Sequence, residues 1–346
     1  MSHSRVYLLL IITLLTACGG FLPNDLPAPQ ALSAGSPAAT DVQLPLSPTP
    51  SSAATATPDL YAGLRIQELA AREYGDGNLQ TLQQLSTNSS FNRYLISYPS
   101  DGIIINGFVD VPTGEGPHPV ILLLHGYIDP AVYKIETYTA GYAAEFARAG
   151  FLVIHPNYRN YPPSDSGPNL FRVGYALDVL NLIAILHSEA GKPGILETAD
   201  AANIFLWGHS MGGGIAQRVL TVGAPINGAV LYGSMSGDER QNFEHIRDVL
   251  SEGQRGIEEL DVPEEALREI SSAYFYKRIA VPVSIHHGDI DAVVPLQWSV
   301  DLCQRLLDLG KDVECFTYHN MPHTFYGDND NLLIQRSIEF FLRNLK

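Results

Sequence analysis

Apolar residues follow two alternating patterns from about residue 120 to the C-terminus. Short runs such as Val120–Leu124 are continuously apolar, which is typical of strands that are buried on both faces of a sheet. The longer segments between these runs carry apolar residues at helical spacing. Strands that alternate with helices predict an α/β fold, with a mostly parallel sheet covered by helices on both faces. The predicted strands here are 120–124, 151–155, 204–207, 229–232, 281–287 and 313–318, and the predicted helices are 138–149, 170–188, 215–221, 296–309 and 331–345.

Two regions depart from this alternation. Segments 93–98 and 103–111 have strand character and are joined by a Pro-Ser-Asp-Gly turn, so they predict an antiparallel hairpin that brings the sheet to eight strands. A helix is predicted over 59–74. The charged, helical segment 238–276 lies between two predicted strands. We interpret it as a small cap over the strand ends, with a peripheral helical hairpin that has no role in binding as the alternative.

The N-terminus resembles a bacterial lipoprotein signal. One arginine precedes the apolar run 7–15, which is too short to span a membrane, and the sequence Leu-Thr-Ala-Cys follows and ends at Cys18. We expect a signal peptide over 1–17 and a lipid on the Cys18 sulfur; an ordinary secretory signal with a chance cysteine is the alternative. Residues 18–58 are rich in Pro, Ala, Ser and Thr, which is typical of a tether, and 59–346 form the folded domain. Both interpretations place the protein outside the cytoplasm, and the first implies membrane contact through the lipid anchor alone.

Composition and charge exclude several classes of protein. Apolar residues make up 45% of the chain, which is ample for a packed core and excludes global disorder. The formal net charge is −16 and no cluster of Lys and Arg stands out, so a nucleic-acid partner is not expected. No stretch after residue 20 has the unbroken apolar length of a membrane span. The sequence carries no signal for an oligomeric state.

The strongest candidate for chemistry is the G-x-S-x-G sequence Gly208–Gly212. It follows the strand 204–207 and leads into the helix 215–221. Strand, tight turn and helix form the context in which this motif is a nucleophile elbow, a strained turn that exposes the serine hydroxyl. A glycine-rich turn without chemistry is the alternative. We expect Ser210 to be a nucleophile.

A serine nucleophile needs a base, and the base needs a carboxylate that orients it. In α/β hydrolases, which this pattern resembles, the order along the chain is Ser, acid, His. The loop after strand 281–287 offers Asp289 and Asp291. We favour Asp291, because G-x-x-D-x-x-V-P is the form that this loop takes in α/β hydrolases. The loop after strand 313–318 offers His323, with His319 as the competing candidate.

Acyl transfer also needs hydrogen-bond donors for the oxyanion. One expected donor is the backbone N–H of Met211, the residue after the nucleophile. The second should lie in the loop after strand 120–124, which begins His125-Gly126-Tyr127. We assign it to the backbone N–H of Tyr127, whose side chain is also placed to wall the pocket.

The cysteines predict one disulfide. With Cys18 lipidated, Cys303 and Cys315 remain as an even pair in an oxidising compartment. Cys303 lies in a predicted helix and Cys315 in the strand that follows its turn, so the helix and strand bring them level. Two small buried thiols are the alternative.

A metal site and a cofactor are not expected. His286, His287, Asp289 and Asp291 are dense in ligand types, but neighbouring strand residues point to opposite faces, so the two histidines cannot easily share one ion. The chain has neither an H-E-x-x-H sequence nor paired C-x-x-C sequences.

From about residue 60 onward the chain resembles the catalytic domain of the prolyl oligopeptidase-like α/β hydrolases. The segments that carry the resemblance are 93–102, 116–120, His125-Gly126, 155–159, 208–213, the Asp291 loop and His323. The resemblance implies a triad of Ser210, Asp291 and His323 and places Tyr158 and Arg159 along the site. We expect these two side chains and that of His125 to contact the substrate.

The chain also departs from that family. Some members use a tyrosine hydroxyl in the oxyanion hole, and the matching position here is His125. The family's N-terminal propeller and its acidic residues for a peptide amino terminus have no counterpart in this sequence, which argues against dipeptidyl peptidase activity. We therefore expect a serine hydrolase of ester or peptide bonds. The alternatives are a carboxylesterase resembling the dienelactone hydrolases and acetyl esterases, and a non-catalytic binding lipoprotein on a hydrolase scaffold.

Overall fold

The computed structural model describes residues 59–75 and 77–346. The expected signal peptide, the tether and the lipidated Cys18 lie outside the described residues. The strands are β1 (Gln80–Thr87), β2 (Phe91–Ser100), β3 (Ile103–Pro112), β4 (His118–Leu124), β5 (Leu152–Pro156), β6 (Ala199–His209), β7 (Gly228–Tyr232), β8 (Val283–Gly288) and β9 (Val313–Tyr318). They form one sheet in the order β1-β2-β3-β5-β4-β6-β7-β8-β9.

The α/β architecture that the apolar pattern predicts is confirmed. Strands β4 to β9 pair in parallel, and every predicted strand is present. The first predicted pair forms the antiparallel hairpin β2–β3. The predicted count of eight strands is one too low, because β1 is absent from the prediction. Its sequence is QTLQQLST and its side chains are largely exposed, so this edge strand lacks the apolar character that marks buried strands.

The helices flank the sheet and follow the predicted positions, with one correction. They are α1 (Ile66–Ala71), α2 (Ala140–Arg148), α3 (Val173–Glu189), α4 (Met211–Val222), α5 (Glu239–His245), α6 (Ile257–Leu260), α7 (Glu264–Ile270), α8 (Leu296–Asp308) and α9 (Gly327–Arg343). The helix predicted over 59–74 is limited to α1. Gly63 lies in the left-handed region with φ +79° and Arg65 is extended, so the chain cannot propagate a helix through them.

The core occupies both faces of the sheet. On β4, Leu122 and Leu124 pack into one apolar cluster while Ile121 and Leu123 pack into the other, and all four are fully buried. Within the described residues one helix, Leu170–Glu189, is long and apolar enough to cross a membrane. Its most apolar window is 78% buried inside the protein, so we assign it to the core.

The segment between β7 and β8 forms the predicted helical insertion. It contains α5, a π turn over 246–250, α6, α7 and a 3-10 turn over 272–278. Glu239, at the start of α5, accepts a hydrogen bond from Arg218 of α4 at 2.7 Å and pairs with Arg172. These side chains are largely buried, and removing one partner of such a pair costs about 3–5 kcal/mol. The insertion is therefore anchored firmly to the sheet domain.

A disulfide joins α8 to β9. Cys303 and Cys315 are bonded, with Cα atoms 6.4 Å apart. The helix and strand run antiparallel from the turn at Gly310, which brings the two positions level.

Candidate active site

Ser210 occupies a strained turn between β6 and α4. Its backbone has φ +56° and ψ −117°, a conformation that non-glycine residues rarely adopt and that surrounding structure must enforce. The Ser210 N–H donates to the Tyr232 carbonyl at 2.9 Å, and its carbonyl accepts from the N–H of Gly213 at 3.0 Å and of Met235 at 3.1 Å. Strand β7 and the loop after it therefore hold the turn in place.

Glycines allow the backbone to pack closely around this turn. A Cβ at Gly208 would lie 2.5 Å from the Gly212 carbonyl oxygen, and a Cβ at Gly212 would lie closer than 3.0 Å to the carbonyl oxygen of Leu124. A Cβ at Gly126 would lie 3.1 Å from the Cβ of Ser210. The loop after β4 thus passes directly beside the serine, which is possible because these positions carry no side chain.

Asp291 and His323 form a hydrogen-bonded pair near Ser210. The His323 Nδ1 donates to Asp291 Oδ2 at 2.7 Å. The other carboxylate oxygen, Oδ1, accepts from the N–H groups of Val293 at 2.8 Å and Val294 at 2.9 Å. The Asp291 side chain is fully buried and that of His323 is 15% exposed. The carboxylate is therefore fixed in orientation and fixes the imidazole in turn.

The competing candidates from the sequence pair with each other instead. His319 Nδ1 lies 2.8 Å from Asp289 Oδ2, and the N–H of Asn320 donates to Asp289 Oδ1 at 2.6 Å. The His319 side chain is 84% exposed, and neither residue borders the cavity that contains Ser210. The geometry thus separates an internal Asp–His pair from a solvent-exposed one.

The electrostatics of Asp291 keep it ionised. Burial alone would raise the pKa of its carboxyl group, because the charged form loses hydration. Hydrogen bonds from His287 and His323 and from the N–H of Val294 outweigh burial and hold the pKa of Asp291 below its ordinary value. Asp291 therefore carries a negative charge, and its Oδ2 lies 2.7 Å from the His323 Nδ1.

Ser210 and His323 border the same cavity, which has a volume of about 440 Å³. Because Asp291 accepts from Nδ1, the Nε2 of His323 is left for another partner, and no described residue hydrogen-bonds to it. The Ser210 hydroxyl likewise has no hydrogen-bond partner among the described residues. Such contacts commonly tighten only when substrate binds. The lining includes Phe243, Ile246, Leu250 and Arg255 from the insertion, and Tyr127, Arg172, Tyr175, Met235 and Val294 from elsewhere.

Two backbone N–H groups are available beside the serine. Met211 is the first residue of α4, where the N–H groups have no partner within the helix. In the part of the chain that the structure describes, neither the Met211 N–H nor the Tyr127 N–H donates a hydrogen bond. Both residues border the cavity. These are the positions that the sequence predicts for the oxyanion donors.

The structure corrects the expectation that Tyr158, Arg159 and His125 contact substrate. All three are buried and none borders the cavity. Arg159 is paired with the buried carboxylate of Asp178, with Nη2 2.8 Å from its Oδ1. The His125 ring stacks on Tyr158 with centroids 4.4 Å apart, and burial lowers the pKa of His125 to about 4. These residues are buried beneath the loops around the site and do not line the cavity.

Sequence reasoning misses the residues that shape the cavity. The insertion contributes Phe243 of α5, Leu250 of the π turn and Arg255 of the loop before α6, and these segments have no readable motif. Arg255 Nη1 donates to the Tyr127 hydroxyl at 2.7 Å, and its guanidinium lies 5.2 Å from the centre of the Tyr127 ring. Since these residues are 128 positions apart, only the tertiary structure brings them together.

Comparison with known proteins bears on the fold and the family. Residues 195–346 match the model of the prolyl oligopeptidase family, and residues 119–257 match that of the alpha/beta hydrolase fold. The structure is similar to that of Pyrococcus horikoshii acylaminoacyl peptidase, with a TM-score of 0.58 and 22% identity over 75% of this chain. It is equally similar to acetyl xylan esterase 1 from Thermoanaerobacterium sp. JW/SL YS485, with a TM-score of 0.58 and 18% identity over 79% of this chain. The chain has the α/β-hydrolase fold.

The α/β-hydrolase relatives include peptidases and esterases. A Bacillus subtilis (strain 168) protein named as an uncharacterized peptidase, YtmA, is 25% identical over 254 residues, which span 72% of this chain and 93% of that protein. This chain covers 42% of the acylaminoacyl peptidase chain but 93% of the acetyl xylan esterase chain. The fold and both family models support a hydrolase.

Proposed function

We propose that this protein is a serine hydrolase that cleaves ester or amide bonds through an acyl-enzyme. Ser210 is the nucleophile, His323 the general base and then acid, and Asp291 the residue that orients His323. The observation that carries the proposal is the placement of Ser210, in a strained elbow, on the same cavity as His323, whose Nδ1 lies 2.7 Å from a buried carboxylate. These are the parts that a Ser-His-Asp mechanism requires.

The proposed reaction proceeds in two halves. As Ser210 Oγ bonds to the substrate carbonyl carbon, its proton passes to His323 Nε2, and the N–H groups of Met211 and Tyr127 stabilise the oxyanion. His323 then gives that proton to the departing alcohol or amine as its bond to the carbonyl breaks. In the second half water takes the place of the leaving group, His323 accepts a proton from it, and Ser210 recovers its proton as the acid departs. The charge on Asp291 stabilises the imidazolium in both halves.

The cavity supports an apolar group on the substrate. Its lining is dominated by side chains such as Met235, Phe243 and Leu250, with Arg172 and Arg255 as its cationic members. Burial of an apolar group against them gains about 25 cal/mol for each Å² removed from water. The helical insertion supplies much of this wall, so we assign it the role of a cap over the substrate.

A carboxylesterase is the second candidate within the same mechanism. The coverage of the structural neighbours favours it, because this chain spans 93% of the acetyl xylan esterase and 42% of the acylaminoacyl peptidase. The name of the relative YtmA favours a peptidase. A panel of p-nitrophenyl esters of increasing acyl length, set against peptide p-nitroanilides with apolar residues, separates the two by kcat/KM.

A fluorophosphonate probe tests the mechanism directly. We expect covalent labelling of the wild-type protein and none of Ser210→Ala, since the probe reacts with an activated serine. Ser251→Ala is the matched control, because Ser251 borders the same cavity but accepts a hydrogen bond from the Arg255 N–H at 3.0 Å instead of lying in an elbow. Equal labelling of Ser210→Ala and wild type would refute the nucleophile. Absence of labelling and turnover in the wild type would favour a binding protein on a hydrolase scaffold.

We also propose that the protein is anchored outside the cytoplasm by a lipid on Cys18. The support is the sequence Leu-Thr-Ala-Cys at the end of the short apolar run 7–15. Partition into detergent after expression in a bacterial host tests it, with Cys18→Ser as the variant that should be released into the aqueous phase. Wild-type protein that stays wholly aqueous would contradict the anchor.

A further inference from the structure

The carboxylate of Asp291 is contacted by a second histidine, His287 of β8. The His287 Nε2 lies 3.1 Å from Asp291 Oδ2, the same oxygen that accepts from His323. We propose that His287 is a positioning residue of the reaction, which holds the Asp291 carboxylate so that Oδ2 faces His323. This inference rests on the proposed serine hydrolase mechanism.

The surroundings of His287 determine its protonated nitrogen. Nε2 faces two acceptors, Asp291 Oδ2 and the Val294 carbonyl oxygen at 3.0 Å. Nδ1 lies 2.7 Å from the Ser299 hydroxyl, which can donate to it. The arrangement therefore fits a proton on Nε2 that is shared between the two acceptors. The ring is 1% exposed, so water does not compete for these contacts.

His287 completes the set of donors around the carboxylate. Oδ1 accepts from two backbone N–H groups, and Oδ2 accepts from His323 Nδ1 and lies 3.1 Å from His287 Nε2. Four N–H groups thus surround the carboxylate, which has four lone-pair directions when ionised. Because these donors come from the loop itself, from β8 and from the loop after β9, the carboxylate can rotate only by breaking several hydrogen bonds at once.

Removal of the His287 donor should change the basicity of His323 in a defined direction. Oδ2 would keep one donor and concentrate its charge on the His323 N–H, so the protonated form of His323 would be stabilised. The acid limb of the kcat/KM profile should then move to higher pH. Two other titratable groups pack against this pair: His209, whose ring centre is 4.5 Å from that of His323, and Tyr232. Arg172, His245, Arg255 and Glu259 border the cavity together with His323. Burial lowers the pKa of His209 and raises that of Tyr232, which favours the neutral form of both.

The neighbouring residue provides a matched control. His286 is also fully buried and lies in the same strand, but it faces the other side of the sheet. Its ring nitrogens contact the Ser284 hydroxyl at 2.9 Å and the Tyr318 hydroxyl at 2.8 Å. Replacing His286 perturbs a buried, hydrogen-bonded imidazole without altering the donors to Asp291.

The experiment compares His287→Phe, His287→Gln and His286→Phe by steady-state ester hydrolysis from pH 5 to 9. Rates are divided by the concentration of sites that a fluorophosphonate titrates. For His287→Phe we expect kcat to fall about tenfold to hundredfold, the range for loss of one hydrogen bond to a charged group, with KM nearly unchanged and the acid limb at higher pH. His287→Gln keeps an amide donor and should recover most of kcat. His286→Phe should change neither kcat per titrated site nor the pH of the acid limb.

Two outcomes overturn the inference. Equal kcat and equal acid limbs for His287→Phe and His286→Phe would show that the ring serves packing alone. If His287→Phe does not fold, His287→Asn replaces it, because its shorter amide occupies the position of Nδ1 beside Ser299 and lacks the Nε2 donor; an unchanged kcat and acid limb in that variant would also overturn the inference. Failure of the underlying mechanism is distinct, since it would appear as hydrolysis that survives Ser210→Ala.

Discussion

The exchange Asp291→Asn tests how the carboxylate controls His323. The Asp291 Oδ1 accepts two backbone N–H bonds, at 2.8 and 2.9 Å, so the amide oxygen of the variant must take that place. The opposite rotamer would aim an NH₂ group at two N–H donors and leave all of them unpaired. The NH₂ group therefore replaces Oδ2, which is 2.7 Å from the His323 Nδ1. Because an amide NH₂ cannot accept a hydrogen bond, His323 must carry its proton on Nε2.

That tautomer cannot take a proton from Ser210. The same exchange in a Ser-His-Asp protease lowers kcat about 10⁴-fold through the wrong tautomer. At 1.36 kcal/mol for each factor of ten, this corresponds to about 5 kcal/mol in the activation barrier. We expect a loss of that order here near neutral pH, with the fold intact because the backbone contacts of the side chain are retained.

The assay is p-nitrophenyl ester hydrolysis, with thermal unfolding of each variant as the check on folding. Asp289→Asn is the matched control, because Asp289 also pairs with a histidine, at 2.8 Å, but on an exposed surface. We expect its kcat to stay within about twofold of wild type, as for other exposed ion pairs of small energy. The assignment of Asp291 as the acid would be refuted if kcat fell less than tenfold in Asp291→Asn, or if kcat fell further in Asp289→Asn than in Asp291→Asn.

Three further predictions concern stability and the cap. Gly212→Ala should lower the free energy of unfolding by about 1–3 kcal/mol or prevent folding, since its Cβ would overlap a backbone carbonyl of β4. Gly214→Ala is the control, because the nearest neighbour of its Cβ would be 3.5 Å away. In urea unfolding we expect this control to be as stable as the wild type or more stable. Replacing both bridged cysteines by serine opens a loop closed over a separation of 12 residues, so we expect a loss of up to about 3 kcal/mol with kcat unchanged. Arg255→Ala removes the contact between the insertion and the Tyr127 side chain and should raise KM about twofold to fivefold. An unchanged KM for every substrate would favour the alternative that the insertion is a peripheral hairpin with no role in binding.

Much of the site could be predicted because each of its parts has a local signature. The elbow is encoded within Gly208–Gly212 and its flanking strand and helix. Asp291 and His323 follow strands, and the parallel order of those strands brings their ends to one edge of the sheet. What stays ambiguous in sequence is the pairing: Asp289 and His319 satisfy the same positional rule. The structure separates them because their side chains leave the loops in different directions, one pair toward the cavity and one toward solvent.

The supporting residues are less accessible to sequence reasoning. Tyr158 and Arg159 lie at a strand end, where position suggests contact with substrate, but the partner of Arg159 is Asp178 of α3, and that ion pair directs the guanidinium into the core. His287 shows the opposite case. Its place in an apolar strand suggests a buried structural residue, and only the fold of the following loop brings Asp291 back to its ring.

By itself the sequence determined the α/β architecture, the elbow and the chain order of the residues proposed as nucleophile, acid and base. Apolar runs, helical spacing and turn residues are short-range patterns, and burial and backbone conformation respond to them directly. Only the tertiary structure decided which aspartate meets which histidine, which tyrosines and arginines reach the cavity, and how the helical insertion lines it. Those contacts join residues far apart in the chain, so they depend on strand register and on the packing of the insertion, which no local pattern specifies.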